Sequence, residues 1–89
     1  MYSKRPYHVY ILLCADETLY TGIAANIERR VAEHNGGKSG ARYTRGRRPV
    51  KLAYSRKFKN RSEALKEEYR IKRLSRNKKK DIIGANGNK

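Results

Sequence analysis

Tryptophan is absent from this 89-residue chain, cysteine occurs once, and acidic residues number only 8 against 23 lysines and arginines. Each scarcity excludes something. The lone Cys14 forms no internal disulfide and makes no zinc site by itself, so it reads as a packed thiol. The longest apolar run is Val9–Cys14, far below the ~20 residues of a membrane-spanning helix. The shortage of acid leaves a formal charge of +15, which opposes compaction unless the partner is a polyanion. Nucleic acid is the first partner expected and an anionic membrane surface a weaker second. The basic opening Met1–Pro6 carries no signal-peptide pattern. A reduced, cytoplasmic protein is therefore expected, with no membrane partner.

A chain this short buries about 60–65% of its unfolded surface, so one small domain is all it supports. No internal repeat or linker divides it. A single domain over 1–83 is expected, followed by a disordered tail, 84–89, with nothing to bury.

Tyr7–Cys14 combines β-branched, aromatic and leucine residues, as in a strand covered on both faces. Alternation places His8, Tyr10, Leu12 and Cys14 on one face and Tyr7, Val9, Ile11 and Leu13 on the other. After the polar Ala15–Thr18, Leu19–Gly22 returns as an antiparallel partner. A two-residue turn at Asp16-Glu17 would set Tyr20 opposite Leu13, away from the face of Tyr10. If both tyrosines serve one site, the loop has an odd length or the strand a bulge. Asn26 is read as the N-cap of a helix from Ile27 to about Asn35, closed by Gly36-Gly37. Ile27, Val31 and His34 line one stripe of it. Arg30 sits at the stripe's edge, pointed toward the fold, and Arg29 nearly opposite, in solvent. A basic loop extends to Pro49, a third strand starts at Val50, and Asn60 with Glu63 has capping-box spacing for a long helix. Ala64, Leu65, Ile71 and marginally Ser75 define its inner face, with Glu63 and Glu67 turned away. A short last helix follows. The fold class is α+β: a three-stranded antiparallel sheet flanked by about three helices.

Glu68 falls between Ala64 and Leu65 on that inner face. A carboxylate there is costly unless it is paired or holds a metal. Lys72, one turn on, is a natural ion-pair partner, and helix geometry alone leaves the two explanations evenly matched. Taken singly, the other groups have ordinary explanations as well. Tyr10 and Tyr20 suit a strand as packing aromatics, His34 suits a helix end as a cap, and Arg30 suits a surface.

Together, in this order and spacing, these residues resemble the GIY-YIG endonuclease domain, in particular its small single-domain bacterial members of the UPF0213 type. His8-Val9-Tyr10 stands where Gly-Ile-Tyr would be, and Tyr20-Thr21-Gly22 where Tyr-Ile-Gly would be. The first motif thus lacks its glycine and the second its isoleucine. The resemblance implies a catalytic set of Tyr10, Tyr20, Arg30, His34 and Glu68. Glu68 would be the sole protein ligand of one Mg²⁺ or Mn²⁺ ion, and Tyr10 would be the general base. It also implies hydrolysis of DNA phosphodiesters; the DNA structure preferred is left open, with branched DNA, damaged DNA and RNA all candidates, and a monomer is assumed.

Lys38, Arg42, Arg45, Arg47 and Arg48 of the basic loop are expected at phosphates, with Thr44 beside them and Tyr43 stacking on a base or sugar. A mobile solvated loop is nearly as good a description. Arg73, Arg76 and Lys78–Lys80 form a second basic edge giving affinity without sequence information, and Lys72 beside them is also expected at nucleic acid. Two other function classes remain open: a nucleic-acid-binding protein that keeps the fold without cutting, and a basic RNA- or ribosome-associated protein. Cleavage requires Glu68, the two phenols and Arg30 to share one cleft. Glu68 held by Lys72 on the other side of the sheet would leave only a polyanion-binding surface.

Overall fold

The computed structural model describes residues 5–36 and 42–86. Strand β1 (Tyr7–Leu13) lies at the centre of a three-stranded sheet, between β2 (Leu19–Ala24) and β3 (Lys51–Phe58), antiparallel to both. Helix α1 (Ile27–Gly36) follows β2, and the four-residue α2 (Arg42–Arg45) precedes β3. Helices α3 (Arg61–Lys72) and α4 (Arg76–Asn86) complete the chain. The architecture is the expected α+β one, with four helices.

Central position explains the composition of β1. Val9, Tyr10, Ile11 and Leu12 are all buried because helices cover both faces. On one face Tyr10, Leu12, Cys14, Ala24 and Val50 pack with Ile27 and Val31 of α1. On the other, Val9, Ile11 and Tyr54 pack with Ala64 and Ile71 of α3 and with Ile82 and Ile83 of α4. Thus α1 and α3 lie on opposite sides of the sheet. Pairing of β1 with β3 jumps from Ile11↔Tyr54 to Leu12↔Leu52. Ala53 is the extra residue of a β-bulge, which leaves Leu52 exposed.

The β1–β2 loop has the odd length that the tyrosines demand. Leu12 faces Tyr20 and Leu13 faces Leu19. The Cys14 N–H donates to Thr18 O at 2.9 Å, enclosing three residues, and the Glu17 N–H donates to Cys14 O at 2.8 Å. Such a loop needs a left-handed residue. With no glycine there, Glu17 takes φ 69°. Asp16 braces the turn by accepting from the Thr18 N–H and hydroxyl, at 3.1 and 2.6 Å.

Helix starts follow their caps. Asn26 Oδ1 accepts the Arg29 N–H and Asn60 Oδ1 the Glu63 N–H, at 3.0 and 2.9 Å. Four expectations are corrected. Leu65 is exposed, and Glu67 is the more covered of two adjacent carboxylates, its side chain 12% exposed against 18% for Glu68. The buried stripe of α3 runs Ala64–Glu67/Glu68–Ile71, so both acids lie on it. Each is neutralised from the next turn: Glu67 by a two-pronged bond from Arg70 at 2.9 and 2.6 Å, Glu68 by Lys72 at 3.1 Å. Ser75 lies beyond α3 and caps α4, accepting the Lys78 N–H at 3.3 Å. Helix α4 runs through Asn86, so residues 84–86 of the expected tail are helical, while 87–89 lie outside the described residues.

Replacing Glu17 with glycine removes the left-handed penalty of a side chain that makes no ion pair among the described residues. Glu17→Gly is expected to stabilise the fold by about 1 kcal/mol. Thermal unfolding should show Tm higher by roughly 4–8 °C; an unchanged or lower Tm would contradict this description of the turn.

Candidate functional site

Tyr10 and Gly22 are paired across β1 and β2. A Cβ at Gly22 would stand 2.6 Å from the Tyr10 hydroxyl oxygen and 2.8 Å from Cζ. The Tyr10 ring therefore lies across the glycine, with its hydroxyl directed over the edge strand β2. A side chain at position 22 would block that crossing.

Four groups act on this hydroxyl. His34, fully buried on α1, places Nε2 2.9 Å from it. The Arg30 guanidinium favours its ionisation, by hydrogen bonding and by charge. Tyr20 leans over both, its ring centre 6.5 Å from that of Tyr10 and 5.3 Å from that of His34. Glu68, though α3 packs the opposite face, is close enough that its charge disfavours ionisation of Tyr10. The crossing sets the hydroxyl over β2, a strand against which α3 also packs from the other face. Glu68 therefore reaches Tyr10 through its charge alone, while a groove beside Arg30 is lined by neither of them. The expected Glu68–Lys72 pair is realised.

Burial is the main influence on Tyr10 and pushes its hydroxyl up to about 12. The Arg30 hydrogen bond and charge pull the other way, and the charges of Tyr20 and Glu68 add to the rise. The phenol is protonated at neutral pH. His34 is depressed below its usual value, first by burial and then by the charges of Arg30 and Arg48, with Glu33 opposing. It is a neutral imidazole. Arg30 also bonds Glu33 at 2.8 Å and its side chain is 30% exposed, whereas that of Arg29 is 78% exposed. The two adjacent arginines differ as expected. A polar groove of about 370 Å³ opens beside Arg30, its walls including Arg5, Asn26, Arg29 and Glu33.

The basic loop departs most from expectation. Thr44 is fully buried, its hydroxyl 2.8 Å from His34 Nδ1, so it does not meet phosphate. The Tyr43 ring stacks on Tyr20 at 5.6 Å and carries the Arg47 guanidinium 3.9 Å from its centre. It is engaged by both, yet it is still 37% exposed. Arg47 is further pinned by Asp16 Oδ2 at 2.9 Å and donates to Tyr43 O at 2.8 Å. Arg48 Nε donates to His34 O at 2.6 Å, capping α1. Arg42, Arg45, Lys72, Arg73 and Arg76 are exposed; Lys38 lies outside the described residues. Asn35, the expected end of α1, has a further role. Its side chain donates to Val50 O at 3.0 Å and accepts the Val50 N–H at 2.6 Å, fastening α1 to the entry of β3. An asparagine near a helix end reads as a cap, so no signal in the sequence distinguished this role.

Among the described residues no three His, Cys, Asp or Glu side chains gather as a metal cage, and no helix is long and apolar enough to cross a membrane.

A family model described as the GIY-YIG catalytic domain matches residues 6–81. A UPF0213 protein of Desulfotalea psychrophila is 55% identical over 84 residues, covering 93% of this chain and 76% of that protein. Another, from Clostridium perfringens, is 54% identical over 78 residues, covering 88% and 83%. The solution NMR structure of a UPF0213 protein from Bacillus halodurans matches with TM-score 0.61 and 41% identity, over 92% of this chain and 86% of that one. The chain belongs to the GIY-YIG catalytic domain family, a nuclease-type family. Within it, the chain falls among the UPF0213 proteins.

Gly22→Ala forces either the buried Tyr10 ring or β2 to move. The expected loss is about 1–3 kcal/mol of stability, the usual range for overpacking, together with displacement of the Tyr10 hydroxyl from His34. Chemical denaturation and the NMR shifts of the His34 ring check both. A variant with unchanged stability and unchanged ring shifts would show that the glycine serves no such crossing.

Proposed function

We propose that the protein is a metal-dependent DNA endonuclease of GIY-YIG type acting in the cytoplasm. The observation that carries this is the meeting of Arg30, His34 and the charge of Glu68 at one buried phenol, Tyr10. A guanidinium beside a polar groove suits a phosphate: Arg30 would move from Glu33 to the non-bridging oxygens of the scissile group and offset charge developing there. The groove, with Arg29 and Arg5 on its walls, would seat the adjoining backbone.

Glu68 is the one residue we assign to hold Mg²⁺ or Mn²⁺. A single carboxylate suits Mg²⁺, which keeps several waters and shares its coordination with substrate phosphate. Lys72 at 3.1 Å competes for that carboxylate, so the ion would bind weakly without DNA. When bound, it would supply polarisation of the phosphate and stabilise the departing 3′-oxygen. Tyr10 would be the general base. With its hydroxyl near 12, it serves only after giving up its own proton, and His34 Nε2 is the adjacent acceptor. Tyr20 packs His34 and would hold the imidazole in register. The exposed Arg42, Arg45, Lys72, Arg73 and Arg76 would bind the DNA backbone without reading sequence.

The Glu68–Lys72 pair favours one rival: a nucleic-acid-binding protein that keeps the fold and does not cut. Nicking of plasmid or branched DNA in Mg²⁺ or Mn²⁺ separates the two. Cleavage by the wild type, reduced at least about a hundredfold by Arg30→Ala, Glu68→Ala or Tyr10→Phe, is expected. Tight DNA binding without cleavage, unaffected by Glu68→Ala, would establish the rival. Preference for RNA over DNA would point instead to an RNA-associated role.

A further inference from the structure

Thr44 contacts no surface, yet it makes a short hydrogen bond to the buried histidine of the site. We propose that Thr44 is a positioning residue that fixes which nitrogen of His34 carries the proton, leaving Nε2 free to accept the proton of Tyr10.

The assignment follows from what each group can donate. A guanidinium has no acceptor, so wherever Arg30 bears on Tyr10 the phenolic oxygen is the accepting side and its proton points elsewhere. Tyr10 is 1% exposed, and among the described residues the acceptor adjacent to its hydroxyl is His34 Nε2 at 2.9 Å. Leaving a buried hydroxyl proton unpaired is costly, so the O–H donates to Nε2. A neutral imidazole with a bare Nε2 carries its hydrogen on Nδ1. That hydrogen needs an acceptor, and Thr44 Oγ1 lies 2.8 Å away.

The surrounding chain holds Thr44 to this position. Thr44 is the buried residue of α2, whose other three residues are exposed. The Arg47 N–H donates to Thr44 O at 3.0 Å, and the Ala15 N–H donates to Arg47 O at 2.9 Å. These bonds tie α2 to the β1–β2 loop, and Arg48 ties the following turn to α1 through His34 O. A neutral hydroxyl at Nδ1 adds no charge, unlike a carboxylate, which would raise the basicity of His34 and favour a resting imidazolium. Thr44 thus orients the imidazole without adding charge, and burial with the charges of Arg30 and Arg48 keeps it neutral. The consequence for cleavage rests on the endonuclease reading above; the proton's location does not.

The test is ¹⁵N NMR of the His34 ring near neutral pH, beside DNA cleavage, in the wild type, Thr44→Val and Thr44→Ser. Wild type and Thr44→Ser should show a protonated Nδ1 and a bare Nε2. Thr44→Val, close in shape but without the acceptor, should lose that signature while backbone shifts away from α2 keep their native pattern. Cleavage should fall about tenfold to a hundredfold in Thr44→Val, as when a histidine loses the partner that orients it, and recover in Thr44→Ser. A protonated Nε2 in the wild type, or an unchanged ring in Thr44→Val, would overturn the proposal. The proposed ring signature in a wild type that does not cleave DNA would instead sink the endonuclease reading and leave the positioning role standing.

Discussion

The hydrogen bond between the Tyr10 hydroxyl and His34 Nε2, 2.9 Å long and buried, is the contact on which the site depends. It joins the central strand to α1, and it forms only because Gly22 lets a phenol lie across the neighbouring strand. The same crossing carries the hydroxyl toward the edge where the charge of Glu68, on the helix behind the sheet, is felt. Packing and chemistry therefore impose the same requirement on position 22.

That contact also defines the resting state. Burial stabilises a protonated phenol and a neutral imidazole, Glu33 occupies Arg30, and Lys72 occupies Glu68. Each group proposed for catalysis is already paired within the protein. Such pairing is what allows a chain of formal charge +15 to bury charged and polar groups at all. A polyanion would be the natural competitor for Arg30 and Lys72. The proposed chemistry thus begins with an exchange of partners, and the existing pairs would keep the groups silent until the proposed substrate arrives.

The sequence was most readable where local rules act in isolation. Alternation along β1 placed Tyr10 and Val9 on opposite faces, and the demand that Tyr10 and Tyr20 share a face foretold an odd-length loop. Asn26 and Asn60 marked helix starts because a cap is a bond between near neighbours. Helix α3 was harder. With few apolar residues, its projection admits more than one centre, and packing against the sheet and α4 selected the stripe holding both Glu67 and Glu68. Helix α2 left no trace, since four residues display no periodicity. Thr44, Arg47 and Arg48 consequently looked like parts of a solvated basic loop, although their bonds to His34, Asp16 and the end of α1 are long-range in sequence and invisible to composition.

The central claim is that the Tyr10 hydroxyl is enclosed and held by its neighbours, and titration of its ¹³Cζ resonance tests this most directly. The account predicts a phenol still protonated past pH 10, with a midpoint at about 12. A midpoint at the ordinary value of ~10 would mean that the hydroxyl is solvated rather than enclosed, and the site as described would not exist.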